Sequence, residues 1–252
     1  VSGRRLLRPA AALAALVALG AATALSAGPA GARFEGAAQR QVFGHSVRDR
    51  PLVVRRAGDP ASGFDVLVVG SIHGDERQGH RIVRALRRAH PDGFEGADLW
   101  TVLSVNPDGI AHHTRKNAHG VDLNRNFSFR FDPHLDGGYE SGPRPFSEPE
   151  SRAIARLSKR VRFDLAIWYH QPWGVTLAPC NRTGRIARTY ARLSGLPAER
   201  DCDHYTPGSA ISWQHHRTGT GAFVVELPGR DLHGREVRRH ARAVAALTRK
   251  LR

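Results

Sequence analysis

The stretch Ser71-Ile72-His73-Gly74-Asp75-Glu76 follows directly on the apolar run Phe64 to Gly70. An imidazole and a carboxylate three residues apart, just past a buried strand, can turn toward one cation, and both are zinc ligands. By itself the pair says little, because His and Glu at this spacing are common by chance. His170 closes a second apolar run, Phe163 to Tyr169, and is the natural third ligand. Two imidazoles and one carboxylate leave a fourth zinc position for water, as in a hydrolytic site. Glu226 lies inside the apolar segment Phe223-Val224-Val225-Glu226-Leu227-Pro228. Burial raises the pKa of such a carboxyl group and suits it to take a proton from water and return it to a leaving amine. For each residue a plainer reading stands beside the chemical one: a strand-end histidine bonded to backbone, and a glutamate paired with one of many arginines.

Gly120-Val121-Asp122-Leu123-Asn124-Arg125-Asn126-Phe127 places a guanidinium between two amides. Arginine is suited to bidentate capture of a substrate carboxylate. Arg115, shortly before, could stabilise a tetrahedral oxyanion. The same residues could instead tie a loop together, and the pattern leaves both readings open. His112, His113, His204, His215 and His216 compete as ligands, but they sit in polar segments and read as surface residues.

These residues need a scaffold that brings distant segments to one place. Val53-Val54, Phe64 to Gly70, Leu99 to Val105, Phe163 to Tyr169 and Gly221 to Leu227 read as strands. Gln78 to His90, Ser147 to Lys159, Gly184 to Leu193 and Gly234 to Leu251 read as helices. Ser147-Glu148-Pro149-Glu150 has the form of a capping box, with Ser147 as cap and Glu150 reaching back. Asn106-Pro107-Asp108-Gly109 is a turn signal, and Ile110 to Arg144 is a long polar connection of the kind that carries function. The alternation predicts an α/β fold with a mixed, mostly parallel central sheet and helices on both faces. Ligands bind at the carboxyl ends of strands in such sheets. His73/Glu76, Asn106 to Gly109, His170 and Glu226 all fall at or near strand ends.

At 252 residues the chain fits one ordinary domain after its first segment. Arg4, Arg5 and Arg8 precede an Ala/Leu/Val run from Ala10 to Leu25 and then small residues ending Ala30-Gly31-Ala32. Residues 1–32 therefore read as a signal peptide cleaved before Arg33, with an uncleaved membrane anchor as the alternative. Residues 33–252 form the catalytic domain, expected in the cell envelope or secreted. Cys180 and Cys202 are the only cysteines. One disulfide is expected of them in an oxidising compartment, and no thiolate zinc site is. The formal net charge of +15 comes almost wholly from arginine. No helix-turn-helix, zinc-finger spacing or aromatic–basic interleaving points to nucleic acid. Anionic envelope polymers or acidic peptides are the expected partners, and a monomer the expected state.

Taken together, His73-Gly-Asp-Glu76, Asn106-Pro-Asp-Gly109, the Gly120 to Phe127 string, His170 and Glu226 resemble the M14 zinc carboxypeptidases in order and spacing. The resemblance covers nearly all of the chain after about Leu52, and the Gly120 to Phe127 string is its most specific part. It implies that His73, Glu76 and His170 bind Zn²⁺ and that Glu226 is general base and acid. It further implies that Arg115 polarises the scissile carbonyl and that Asn124 and Arg125 hold a terminal carboxylate. Ser147-Glu-Pro-Glu150, Pro172 two residues after His170, and Tyr205-Thr-Pro-Gly-Ser209 are similar to the murein peptide amidases of that family. This implies a γ-D-glutamyl–diaminopimelate bond in a cell-wall-derived peptide as substrate, with Ser209 among the substrate-binding residues. An export leader departs from the cytoplasmic amidases. The mobile tyrosine of digestive carboxypeptidases has no assured counterpart, although Tyr205 is in a plausible place. A general metallocarboxypeptidase, an aspartoacylase-like deacylase and a non-catalytic envelope-binding protein are the alternatives.

Overall fold

A computed structural model describes residues 38–202 and 206–252. The signal-peptide reading of residues 1–32, Tyr205 and His204 lie outside the described residues. The strands are β1 (Gln39–His45), β2 (Pro51–Gly58), β3 (Asp65–Val69), β4 (Asp98–Val102), β5 (Leu165–His170), β6 (Trp173–Pro179), β7 (Ala198–Asp201) and β8 (Gly221–Pro228). The helices are α1 (Gln78–Ala89), α2 (Pro107–His112), α3 (Pro149–Val161), α4 (Arg182–Ser194), α5 (Ala210–Thr218) and α6 (Gly234–Leu251). All eight strands join one sheet in the order β1-β2-β4-β3-β5-β8-β6-β7. Its centre, β4-β3-β5-β8, is parallel, while β1, β2 and β6 enter antiparallel and β7 pairs parallel with β6. The expected mixed α/β sheet is what forms.

The central strands show why they read as unbroken apolar runs. Val66, Leu67, Val68 and Val69 are all fully buried, since helices cover both faces. Side chains alternate across a strand, so the run divides between two cores. Val66 and Val68 pack with Ile82, Leu86, Tyr190 and Val244, from α1, α4 and α6. Leu67 and Val69 pack with Ile154, Leu157 and Trp213, from α3 and α5. Each fully buried Val or Leu contributes roughly 1.5–3 kcal/mol, enough to fix the register of the strands that carry the site. Among the described residues, no helix is long and apolar enough to cross a membrane.

Two local expectations are overturned. Asn106-Pro-Asp-Gly109 is not a free turn but the start of α2, with Asn106 Oδ1 accepting the Gly109 N–H at 2.8 Å and Pro107 at the first position. Asn, Pro and Asp favour helix starts for the same reasons that they favour turns. Ser147-Glu148-Pro149-Glu150 is not a capping box, because α3 begins at Pro149 after Glu148 and has no side-chain cap. Proline at the first helical position needs no acceptor for a missing N–H, so the carboxylates are used elsewhere. Glu150 accepts the Val47 N–H at 3.0 Å, and Glu148 accepts from Asn117 at 2.8 Å and His119 at 2.7 Å. They brace the long connection between α2 and α3 against the body of the fold.

Candidate active site

His73 and Glu76 lie between the end of β3 and the start of α1, and His170 is the last residue of β5. Glu226 stands directly opposite His170 in the β5–β8 pairing. The adjacent parallel strands β3, β5 and β8 thus deliver all four side chains at or just beyond their carboxyl ends. Gln171 ties the segments together: its Oε1 accepts the Gln78 N–H at 3.1 Å, and its Nε2 donates to the Pro228 carbonyl at 3.0 Å. The bond from the Gln78 N–H also satisfies one of the unpaired donors of the first turn of α1. The turn after His73 is equally constrained. A Cβ on Gly74 would lie 2.0 Å from the Gly109 backbone, so only glycine allows the His73 segment to rest on α2.

His73 Nδ1 lies 2.7 Å from Glu76 Oε1, and His170 Nδ1 lies 2.9 Å from Glu76 Oε2. The three residues are buried, and one ligand atom from each falls within 4.8 Å of the others. Among the described residues, Glu76 Oε2, His170 Nε2 and Glu226 Oε2 are buried without a hydrogen-bond partner. The 2.9 Å approach of His170 to Glu76 is therefore an ion-pair distance without hydrogen-bond alignment. Orphaned buried polar atoms are rare in folded proteins, and converging acceptor atoms are costly unless a cation sits among them. The donor set and its orphans fit Zn²⁺.

His73 is oriented by a residue for which the sequence suggested only a loop-stitching role. Its Nε2 donates to Asp122 Oδ1 at 3.0 Å. A carboxylate behind a metal-binding imidazole fixes its tautomer and leaves the other nitrogen free for the metal. Asp122 Oδ1 also accepts the Asn124 N–H at 2.8 Å, and Oδ2 receives Arg115 at 3.0 and 2.9 Å. The imidazole and the guanidinium are therefore set by one carboxylate. Burial tends to raise the Asp122 pKa, but His73 and the arginines hold it well below the usual carboxylate range. A buried acid three residues before Arg125, with a histidine lacking a partner, was the available signal.

The two glutamates are driven apart. Burial alone would raise the pKa of Glu76, yet His170 and His73 outweigh it and keep the carboxylate ionised. Burial raises that of Glu226, the charge of Glu76 adds to it, and His170, His73 and Arg115 only partly oppose. One carboxylate is thus held in its ionised form and the other is the more readily protonated of the two.

Arg115 Nη1 lies 3.3 Å from Glu76 Oε1, at the edge of the cluster. Its carbonyl is fixed by the Asn106 amide at 3.1 Å, so the segment that resembled a turn scaffolds Arg115 and supplies no reacting group. Asn124 Oδ1 accepts the Ala210 N–H at 3.0 Å, and the residue lines a cavity. Arg125 donates to the Asn124 carbonyl at 2.8 Å. Ser209 has a structural role beside the expected substrate contact. It borders the cavity, but its Oγ caps α5 by accepting the Ser212 N–H at 3.2 Å. Of the rival histidines, His112, His113 and His216 are exposed. His215 is half-buried rather than on the surface, 3.1 Å from the Asn181 amide and in the cavity wall. Cys180 and Cys202 are joined, as expected, and both line the same cavity.

Residues 31–226 match the model of the zinc carboxypeptidase family, Peptidase_M14. Murein peptide amidase A of Escherichia coli (strain K12) is 30% identical over 192 residues, covering 68% of this chain and 74% of that protein. Murein peptide amidase A of Vibrio campbellii is 29% identical over 199 residues, covering 74% of this chain and 78% of that protein. The crystal structure of murein-tripeptide amidase MpaA from Escherichia coli O157 superposes with a TM-score of 0.67 at 27% identity, over 83% of this chain and 91% of that one. Carboxypeptidase A from Helicoverpa armigera shares the fold, with a TM-score of 0.70 at 17% identity over 86% of this chain and 69% of that one. The chain belongs to the zinc carboxypeptidase family and is a zinc-dependent hydrolase.

Proposed function

We propose that this enzyme cleaves an amide bond beside a free carboxylate in peptidoglycan stem peptides, of the γ-D-glutamyl–diaminopimelate type. The observation that carries the reading is the cavity of about 150 Å³ that opens beside Asn124. Asn181, Ser209, Ser212 and His215 stand in its wall, so it suits a side chain with a polar end. The resemblance to proteins named murein peptide amidase supports the same substrate class.

His73, Glu76 and His170 would hold the zinc, which when bound lowers the pKa of water toward neutrality and polarises a carbonyl. Glu226 Oε2 accepts one proton of the attacking water as the water oxygen forms a bond to the carbonyl carbon. The carbon–nitrogen bond then breaks, and the same oxygen returns the proton to the leaving amine. The Arg115 guanidinium donates to the oxygen that gains charge as the carbonyl carbon becomes tetrahedral. Asn124 and Arg125 donate to the free carboxylate and so fix which amide bond meets Glu226. The leader read in residues 1–32 and the Cys180–Cys202 pairing support action outside the cytoplasm. N-terminal mass analysis should find the mature chain starting at Arg33; recovery with residues 1–32 attached refutes the cleavage.

Incubation of the zinc-loaded enzyme with γ-D-glutamyl–diaminopimelate peptides, ordinary C-terminal peptides and N-acetylaspartate, read by mass spectrometry, tests the substrate. Release of diaminopimelate is expected. Preferential trimming of ordinary C-terminal residues would assign a general carboxypeptidase, and turnover of N-acetylaspartate alone a deacylase. Binding to cell walls without hydrolysis would overturn the enzymatic reading of the site.

A further inference from the structure

Among the described residues, Tyr139 is one of the few large hydrophobic side chains left exposed, at 48%. It lies in the long connection between α2 and α3, in a segment otherwise polar and rich in glycine. Its ring faces two cations at once: Arg115 Cζ is 5.3 Å from the ring centre and Arg125 Cζ is 5.1 Å from it. Both arginines belong to the machinery proposed above, yet they are held unequally. Arg115 is anchored by Asp122 on one side and approaches Glu76 on the other. Arg125 makes no ion pair among the described residues; its guanidinium donates to a backbone carbonyl. Burial acts first against the Arg125 cation and the charge of Arg115 adds to it, while the nearby Asp122 carboxylate and Tyr139 act the other way.

The backbone holds the ring in place. The Tyr139 N–H donates to the Asp136 carbonyl at 3.1 Å, and the Glu140 carbonyl accepts the Asp122 N–H at 2.8 Å. Glu140 is also paired with Lys116. Gly137 and Gly138 precede the ring with φ of +63° and +103°, conformations that the turn needs and that other residues resist. The ring is therefore carried by a fixed turn joined to the same segment that bears Asp122, Asn124 and Arg125.

We infer that Tyr139 is a positioning residue whose π face gathers the two guanidinium groups side by side before substrate arrives. An aromatic face attracts cations through its quadrupole. Here it offsets the repulsion between two like charges that must both point at an anionic substrate. The ring gives way to the substrate carboxylate as the stronger partner of Arg125, while Arg115 stays oriented toward the reacting carbonyl. This inference rests on the carboxylate-clamp reading of Arg125.

The test compares Tyr139→Leu and Tyr139→Phe with the wild type and with Arg125→Ala. Each is assayed on a peptide bearing a free carboxylate and on the same peptide with that carboxylate amidated. Tyr139→Leu should raise KM for the free acid about tenfold, leave KM for the amide unchanged, and keep zinc content and Tm at wild-type values. Tyr139→Phe should restore KM for the free acid to near the wild-type value. An unchanged KM in Tyr139→Leu, while Arg125→Ala raises it, overturns the inference and leaves the clamp standing. Equal losses in the Phe and Leu variants overturn it in favour of the phenol hydroxyl. No effect of Arg125→Ala on discrimination between acid and amide overturns the clamp and the inference together.

Discussion

Asp122→Asn removes one charge and almost no volume from a fully buried side chain, so its consequences can be worked out bond by bond. The carboxylate makes two pairs of contacts. Oδ1 accepts from His73 Nε2 at 3.0 Å and from the Asn124 N–H at 2.8 Å. Oδ2 accepts from Arg115 at 3.0 and 2.9 Å. An amide can keep the first pair through its oxygen, but then turns an NH₂ toward a guanidinium that also only donates. A hydrogen bond to a charged group contributes about 1.5–3 kcal/mol. The Arg115 side chain is 29% exposed, so water replaces part of the loss and the lower end applies. A loss of about 1.5–2 kcal/mol from Arg115 predicts kcat/KM about 10- to 30-fold lower at saturating zinc. Weakening of the carboxylate behind His73 should separately reduce zinc affinity about 10- to 100-fold. Chelator competition measures the second effect, and steady-state kinetics with excess zinc measures the first. If both stay within twofold of wild type, Asp122 orients neither group and the shared-carboxylate argument fails.

Glu226→Gln should retain one zinc per chain and lower kcat by about 10²–10⁴-fold, the usual contribution of a general base; wild-type turnover in that variant would remove Glu226 from the mechanism. Because burial raises the Glu226 pKa and the carboxylate must be ionised to accept a proton, activity should fall with decreasing pH at a point above the ordinary 4.5. A pH profile of kcat/KM with its acid limb below that value contradicts the assignment. Replacing Cys180 and Cys202 with serine opens a loop spanning 22 residues in sequence and should cost about 3 kcal/mol of stability by denaturant titration. Because both residues border the cavity beside Asn124, KM should rise more than kcat falls, and an unchanged KM would detach the bridge from substrate binding. His80 and His240 are kept neutral, with pKa values pushed down from 6.5 to about 4, first by burial and then by neighbouring arginines. Between those values the unfolded chain binds more protons than the folded one, so stability rises with pH across the window and is lost as pH falls through it. Each should account for about 3 kcal/mol across that range. A His240→Phe variant whose acid unfolding profile matches wild type would contradict the account for that residue.

How much could be read beforehand differed by kind of feature. The central strands were visible because burial on both faces forces unbroken apolar runs, and α6 because Val237, Ala241, Val244 and Leu247 repeat at helical spacing. The edge strand β7, Ala-Glu-Arg-Asp, was not, since it is short, polar and mostly in solvent. The capping-box reading of Ser147 to Glu150 failed because the local pattern could not register Val47 and Asn117, which reach those carboxylates from distant parts of the chain. Asp122 was misjudged for the same reason: nothing within its own segment reveals that His73, 49 residues earlier, needs an acceptor.

The sequence by itself determined the inventory of this protein: the imidazoles, carboxylates and guanidiniums, and the strands at whose ends they stand. Residue type sets which bonds a group can make, and apolar periodicity sets where a strand ends, so both are local properties. Only the tertiary structure decided that Glu226 faces His170, that Asp122 serves two masters, that Ser209 caps a helix, and that Tyr139 lies against both arginines. These depend on strand order and loop paths, through which the folded chain brings together groups that are far apart along it.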